Sequence, residues 1–255
     1  MTFDPVFVSP LHDPDGVMLA HLATITPQLK NLFARMFVDF SDTTARRQSE
    51  PIHRLTQDSF FAVSISPPNR AVGDQFVALY KLAAASCAPQ QILHLCFPDR
   101  VAFALQTHYR DQFIADVCAV ANEDAPVLFQ RSESAWRTHP QNYRACEQLA
   151  TQVGAMLLGK SFDWTWCHLA APAHRLADIL PRVTTHDFTV LAEIVFALKD
   201  ILQTQDVDWL AWEDPHIFAR DADELKTERE ASFQETRKRL AYVLPMIQYL
   251  YASTK

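Results

Sequence analysis

The chain has 255 residues, 49% of them hydrophobic and 21% charged, with a formal net charge of −7. A chain of that length buries a core without disulfide or metal staples. The acidic balance excludes a general affinity for nucleic acid or an anionic membrane surface and leaves room only for a local basic pocket that takes one phosphate group.

In chain order, short apolar runs alternate with helical patterns. Residues 6–9 read as a strand entering a loop over 10–16. A helix follows over about 18–34, which Pro27 starts or kinks. Residues 36–40 read as a second strand, closed by Ser41 and Asp42, before a polar stretch with Arg46, Arg47 and Glu50. A third strand over 60–66 is stopped by Pro67 and Pro68. Val72, Phe76, Leu79, Tyr80 and Ala83 keep helical spacing and predict a helix over 72–86. Residues 92–96 read as a fourth strand ending at Pro98, 110–121 as a helix, and 127–131 as a fifth strand. A helix over 142–158 ends at Gly159, a C-cap. Residues 164–169 read as another strand. Asp187 caps a helix to about residue 202, and 207–210 form a final short strand. Residues 222–251 are mostly helical, with an apolar stripe of Phe233, Leu240, Leu244, Ile247 and Tyr251 and a kink at Pro245.

Strands separated by helices imply right-handed crossovers. The expected class is α/β: a mostly parallel central sheet with flanking helices, Rossmann-like, and a long C-terminal helical segment. No repeat or linker interrupts the chain, so one domain is expected, with a core over 1–218 and an extension over 219–255. Asp4 and Pro5 stand where a signal peptide needs a basic start and an apolar run, and no stretch approaches the roughly 20 apolar residues of a membrane span. The five cysteines (Cys87, Cys96, Cys118, Cys146 and Cys167) form no CxxC and read as buried reduced thiols. A cytoplasmic protein is expected.

Ligands of such sheets sit beyond the carboxyl ends of the strands, and four segments there carry reactive residue types. Asn69 to Asp74 opens a helix whose amides favour an anion, with Gly73 for close approach and Arg70 for charge-assisted contacts to phosphate; it also reads as a solvated helix start. Cys96 to Arg100 follows a buried strand, with Asp99 either facing the ligand crevice or pairing with Arg100 to close a turn. Gln130 to Pro140 combines Glu133, Arg131, Arg137, His139 and Trp136 in one loop. Asp206 to His216 alternates tryptophans with acids, suited to a sugar face and its hydroxyls, or to an edge strand with packed tryptophans. Other chemistries lack their signatures. The four glycines form neither a GxGxxG turn nor a Walker A loop. GxSxG and HExxH are absent, and the histidines show no zinc spacing. A cysteine nucleophile at Cys96 or Cys167 needs a histidine brought alongside by the fold.

The order of these segments resembles the GT-A glycosyltransferase fold over about residues 3–218. Ala71 to Asp74 resembles the glycine-bearing helix start of that family. Leu93 to Arg100 resembles its DxD strand and loop, and His186 to Glu193 with Trp212 to Asp214 stands in the place of its late acidic segments. The resemblance implies a nucleotide-sugar donor and a divalent cation, manganese or magnesium, bridging the donor diphosphate. Phe97, however, stands where the first carboxylate of the motif belongs, and only Asp99 remains. Asp99 as metal ligand then needs help from donor phosphates or from a residue such as His216. Arg70, Arg100 or Arg131 would alternatively neutralise the diphosphate. Glu133, Asp187 or Glu213 would orient or deprotonate the acceptor hydroxyl. The implied function is transfer of a sugar from a nucleotide-diphosphate donor to an acceptor hydroxyl. The missing carboxylate supports the alternative of a relative that binds a sugar, a nucleotide or a partner protein without turnover.

Overall fold

The computed structural model describes residues 4–121, 123–212 and 221–254. Among them the strands are β1 (Val6–Leu11), β2 (Arg35–Phe40), β3 (Phe61–Ile65), β4 (Ile92–Cys96), β5 (Val127–Arg131), β6 (His168–Pro172) and β7 (Gln203–Val207). The helices are α1 (Val17–Leu32), α2 (Asp42–Arg47), α3 (Ser49–Thr56), α4 (Val72–Ser86), α5 (Pro98–Gln106), α6 (Arg110–Ala119), α7 (Glu133–Thr138), α8 (Gln141–Leu158), α9 (Ala173–Ile179), α10 (Thr189–Leu198), α11 (Ala222–Ala231) and α12 (Phe233–Ser253).

The strands form one sheet in the order β3-β2-β1-β4-β6-β5-β7, parallel except for β6, which runs against β4 and β5. The chain runs outward from β1 to β3, then returns through α4 to lay β4 on the other side of β1. The order therefore reverses between β1 and β4, where a crevice opens beyond the carboxyl ends of the strands.

Both faces are covered. On β1, Val6 and Val8 enter one apolar cluster and Phe7 the other; Phe37 is opposed to Met36 and Val38 on β2 in the same way. Helices α1, α5 and α6 bury one face, while α4, α8, α9, α10 and α12 bury the other. Two-sided burial is why these strands read as nearly continuous apolar runs.

Helix α4 and strands β4 and β5 lie where the apolar spacing places them. Elsewhere the structure departs from the expectation for local reasons. Pro98 does not stop the chain but occupies the first turn of α5, where its missing N–H costs nothing. The polar stretch after β2 forms α2 and α3, and the Gln130 to Pro140 loop contains α7, which Ser132 caps by accepting from the Ala135 amide. The strand expected over 164–169 begins only at His168. The run is apolar because its rings fill the core: Trp166 Nε1 donates to the Leu191 carbonyl at 3.0 Å, and Trp164 lies on Gly154, where a Cβ would stand 2.1 Å from Nε1. The last strand falls earlier than expected, ending at Val207.

In the C-terminal segment the break falls at Ser232, whose Oγ accepts from the Glu235 amide to start α12, while Pro245 lies inside that helix. Its fully buried stripe is Val243, Met246 and Leu250; Phe233, Leu244 and Tyr251 are exposed. Relative to the expected stripe the helix is rotated, and Arg239 and Tyr242 come onto the inward face. All five cysteines are free, with Cys96, Cys146 and Cys167 buried and Cys118 exposed. Among the described residues no helix is long and apolar enough to cross a membrane.

Candidate functional site

Three adjoining hollows form a trench along the carboxyl ends of the strands. The largest, about 780 Å³, lies beyond β2 and β3 and includes Ser41, Arg46, Ser66, Asn69 and Arg70. Its floor is built on Asp39, the buried penultimate residue of β2. The Asp39 carboxylate accepts from Ser64 Oγ, Ser66 Oγ and Gln75 Nε2, and Gln75 also donates to the Asp39 carbonyl at 3.0 Å. Neutral donors thus fix a buried carboxylate that has no ion pair among the described residues. Asn69 has a φ of 60°, a left-handed conformation that asparagine tolerates, and it turns the chain into α4. Arg70 is exposed here, with no hydrogen bond or ion pair among the described residues.

The second hollow, about 250 Å³, lies at the β1–β4 reversal. Pro10 and Leu11 at the end of β1 border it with His12, and Phe97, Pro98 and Asp99 follow after β4. It shares His12, Val72 and Gln75 with the first hollow, so the two are continuous. Asp99 sits in the first turn of α5, half-buried, and among the described residues no donor hydrogen-bonds its carboxylate.

The third hollow, about 210 Å³, shares Phe97, Asp99 and Phe188 with the second and extends under α12. Its lining is highly charged. Arg131, at the end of β5, is 5% exposed. It donates from Nε and Nη2 to the two Asp163 oxygens (2.7 and 2.6 Å), from Nη2 to Thr165, and from Nη1 to Glu147 Oε2. Its guanidinium stacks on Trp136 at 3.6 Å. Glu147 also accepts at Oε1 from Arg239 Nη1 (2.8 Å) and from the Tyr242 hydroxyl (2.8 Å). Burial opposes ionisation of Glu147, but Arg131 and Arg239 beside it hold its carboxyl well below the usual range. His139 donates from Nε2 to the Leu210 carbonyl (3.1 Å). Burial, then the Arg131 and Arg100 charges, keep it well below the ordinary histidine value, so the ring is neutral and Nδ1 is an acceptor.

Of the residues singled out in the sequence, Asp99, Arg100 and Arg131 come together at the third hollow, and Arg70 lies at the first. Arg100 Nη1 donates to the Ala211 carbonyl at 3.1 Å. Arg131 is occupied by Asp163, Glu147 and Thr165. The close approach that Gly73 permits is of backbone rather than ligand: its amide donates to the His186 carbonyl (3.0 Å), and a Cβ there would lie 2.6 Å from the Asp187 carbonyl oxygen. The Asp187 carboxylate accepts from the Thr189 amide at 2.8 Å as α10 begins, next to Phe188 of the trench wall. Glu133 is exposed and pairs with Arg137 at 3.2 Å, outside all three hollows. Glu213 and His216 lie outside the described residues. Trp209 is fully buried, its Nε1 donating to Asp116 at 2.7 Å, and is a core residue rather than a sugar platform. Glu193 accepts from the amides and hydroxyls of Thr184 and Thr185 and fixes that loop. Cys146 and Glu147 on the helix after the Gln130 to Pro140 loop could be noted from the sequence, whereas Asp163, Arg239 and Tyr242 were missed: Arg239 is the third cation of Arg237-Lys238-Arg239 and reads as part of a solvated face.

Among the described residues no group of three histidine, cysteine, aspartate or glutamate side chains could hold a metal ion. Asp99 fits a narrower role, as the single protein carboxylate on a magnesium or manganese ion that arrives with donor phosphates.

No protein-family model and no curated protein matches the sequence. Solved structures do match in fold. Glucosyl-3-phosphoglycerate synthase from Mycobacterium tuberculosis, in complex with Mn2+, uridine diphosphate and phosphoglyceric acid, is similar over 96% of this chain and 78% of its own, at 14% identity and a TM-score of 0.51. The same enzyme with phosphoglyceric acid gives 96% and 80% coverage, 14% identity and a TM-score of 0.53. A mycobacterial protein gives 96% and 75% coverage, 16% identity and a TM-score of 0.55. The chain therefore has the GT-A fold, and at these identities the fold is what is shared.

Proposed function

We propose that the chain transfers a sugar from a nucleotide-diphosphate donor to an acceptor hydroxyl. The observation that carries this reading is the continuous trench over the β1–β4 reversal, with the otherwise unengaged Asp99 carboxylate where the second and third hollows meet. The large hollow has the size and hydrogen-bonding floor for a nucleoside, and Arg70 at its rim is available to a phosphate. Uridine diphosphate, bound by the similar M. tuberculosis enzyme, is the first donor base to test.

In the transfer, the acceptor oxygen bonds to the anomeric carbon as the bond from that carbon to the diphosphate breaks. The nucleoside diphosphate leaves with the electron pair, and the hydroxyl proton passes to a base or to water. A divalent cation held by Asp99 and the donor phosphates would neutralise the leaving group. Arg70 adds charge on the nucleotide side. Phe97, Phe76 and Phe188, whose ring centroids lie 5.8 and 6.0 Å from Phe76, wall the reacting centre from water. Of the carboxylates weighed as proton acceptors, Asp187 stands beside this wall. His139 Nδ1 offers a neutral hydrogen-bond acceptor to an acceptor hydroxyl in the third hollow.

A single carboxylate at the DxD position favours a second reading, a protein that binds the nucleotide without turnover. Thermal unfolding with uridine diphosphate and its sugars, with and without manganese, tests both. Ligand at 100 times its dissociation constant stabilises by about 2.7 kcal/mol, an upward shift of several degrees at roughly 2–4 °C per kcal/mol. A shift accompanied by nucleotide-sugar turnover that Asp99→Asn abolishes supports transfer. A shift without turnover supports the second reading, and no shift with any nucleotide removes both.

A further inference from the structure

We propose that Arg239, on the C-terminal helix, is an oxyanion clamp that recognises a carboxylate or phosphate carried by the acceptor. This rests on the transferase reading and names the chemical class of its second substrate.

Two arginines lie on either side of one carboxylate, Glu147. Arg131 Nη1 donates to Glu147 Oε2, and Arg239 Nη1 donates to Glu147 Oε1. In Arg131 the remaining edge, Nε with Nη2, forms a fork that closes on both oxygens of Asp163. In Arg239 no carboxylate among the described residues closes on the same edge, and the group beside it is the neutral Tyr143. Both Nη1 hydrogens are used, on Glu147 and on the Tyr242 hydroxyl, so the open donors are Nε and Nη2.

That open fork is held rigidly. The Arg239 guanidinium lies over the Tyr143 ring at 3.7 Å, and the Tyr143 hydroxyl is itself tied to Glu235. The side chain is 30% exposed and borders the third hollow, which Asp99 also borders. A planar fork with two parallel N–H groups matches two oxygens of a carboxylate or phosphate, and orienting it in advance reduces the entropy lost on binding. A ligand oxyanion would do for Arg239 what Asp163 does for Arg131. A neutral hydroxyl would satisfy one donor and leave the other unmatched.

The test is a titration of the 15N-labelled full chain with inorganic phosphate and, separately, with acetate, following the Arg239 Nε–Hε resonance. Assignment through the arginine side-chain carbons keeps the wild-type result independent of whether any variant folds. The resonance should move saturably with at least one anion, phosphate or acetate naming the group the acceptor carries, and should still move in Arg70→Gln, whose change lies in the large hollow. Arg239→Lys keeps the charge beside Glu147 but loses the fork, so affinity should fall by about tenfold or more. An Arg239 signal unmoved by either anion, or equal affinity in wild type and Arg239→Lys, overturns the clamp. Nucleoside-diphosphate binding is measured on the same samples. If it persists while the anions fail, only the clamp is lost; if the wild type binds no nucleotide, the transferase reading fails instead.

Discussion

The two ends of the trench use charge in opposite ways. At the β2–β3 end, the buried Asp39 carboxylate is satisfied by serine and glutamine donors, and Arg70 at the rim is exposed. Under α12, Arg131, Asp163, Glu147 and Arg239 form a buried chain of ion pairs that, among the described residues, leaves one edge of Arg239 without a carboxylate. An arginine in a cleft is therefore not a phosphate site by residue type alone. What decides is whether its donors are already used.

The contrast predicts very different responses to substitution. Arg131→Met strands Asp163 in the interior and leaves Glu147 with Arg239 alone as its cation, and loss of one partner of a buried pair costs about 3–5 kcal/mol. Urea denaturation should show that loss. A change below 1 kcal/mol would mean that Arg131 is less tightly bound than its geometry indicates.

Between the two ends, where the sheet changes direction, His94 on β4 and His168 on β6 share a ring-to-ring hydrogen bond of 2.7 Å in the core. Their outer nitrogens, His94 Nε2 and His168 Nδ1, are buried without a hydrogen-bond partner. Burial pushes His94 down to about 3 and, with the His94 charge, holds His168 well below the ordinary value. Both are neutral when folded and gain protons when unfolded, so their contribution to stability is complete above about pH 6.5 and is lost as pH falls below it. Each histidine adds a slope of up to about 1.4 kcal/mol per pH unit in that window. Denaturation midpoints between pH 7 and pH 5 measure it, and His94→Phe with His168→Leu should flatten the curve there. Glu147 acts in the same direction but only below the ordinary glutamate range, which separates the two effects.

Gly154→Ala sharpens the comparison further. The added methyl meets Trp164 Nε1, and Trp164 lies between Asp163 and Thr165, both partners of Arg131. Overpacking of this kind costs about 1–3 kcal/mol. Its disturbance should reach the arginine-rich end and leave nucleotide affinity at the other end unchanged. The smallest stability effects belong to the open groups. Arg70→Gln and Asp99→Asn should each stay within about 0.5 kcal/mol of the parent while weakening nucleotide binding and, for Asp99, abolishing turnover.

Strands β1 to β5 and α4 were legible because their burial is local: short apolar runs, two of them bounded by proline, and a stripe repeating every three or four residues; β6 and β7 were not, because the apolar residues before the one and after the other fill the core outside the sheet. The α5 start was not, because Pro98 signals both a stop after a strand and the first turn of a helix. The rotation of α12 was hidden because Leu240, Leu244, Ile247 and Tyr251 mimic a buried stripe, whereas α8 and α10 select the face through Val243 and Met246. The site was legible only in part. Asp99 and Arg70 could be found because strand ends mark the crevice. The partners of Arg131 lie 16 and 32 residues from it, and Arg239 lies 92 from Glu147, so no local pattern records that they meet.

A nucleoside diphosphate is expected to lie along the β1–β4 reversal. Hydrogen exchange read by mass spectrometry, with and without a saturating nucleoside diphosphate and manganese, tests it most directly. Protection confined to the carboxyl end of β1 and the segments after β1, β2, β3 and β4, residues 10–13, 41–46, 66–76 and 97–100, with no change in α11, is the predicted result. Protection that spares those segments, or none with any nucleotide, would contradict it.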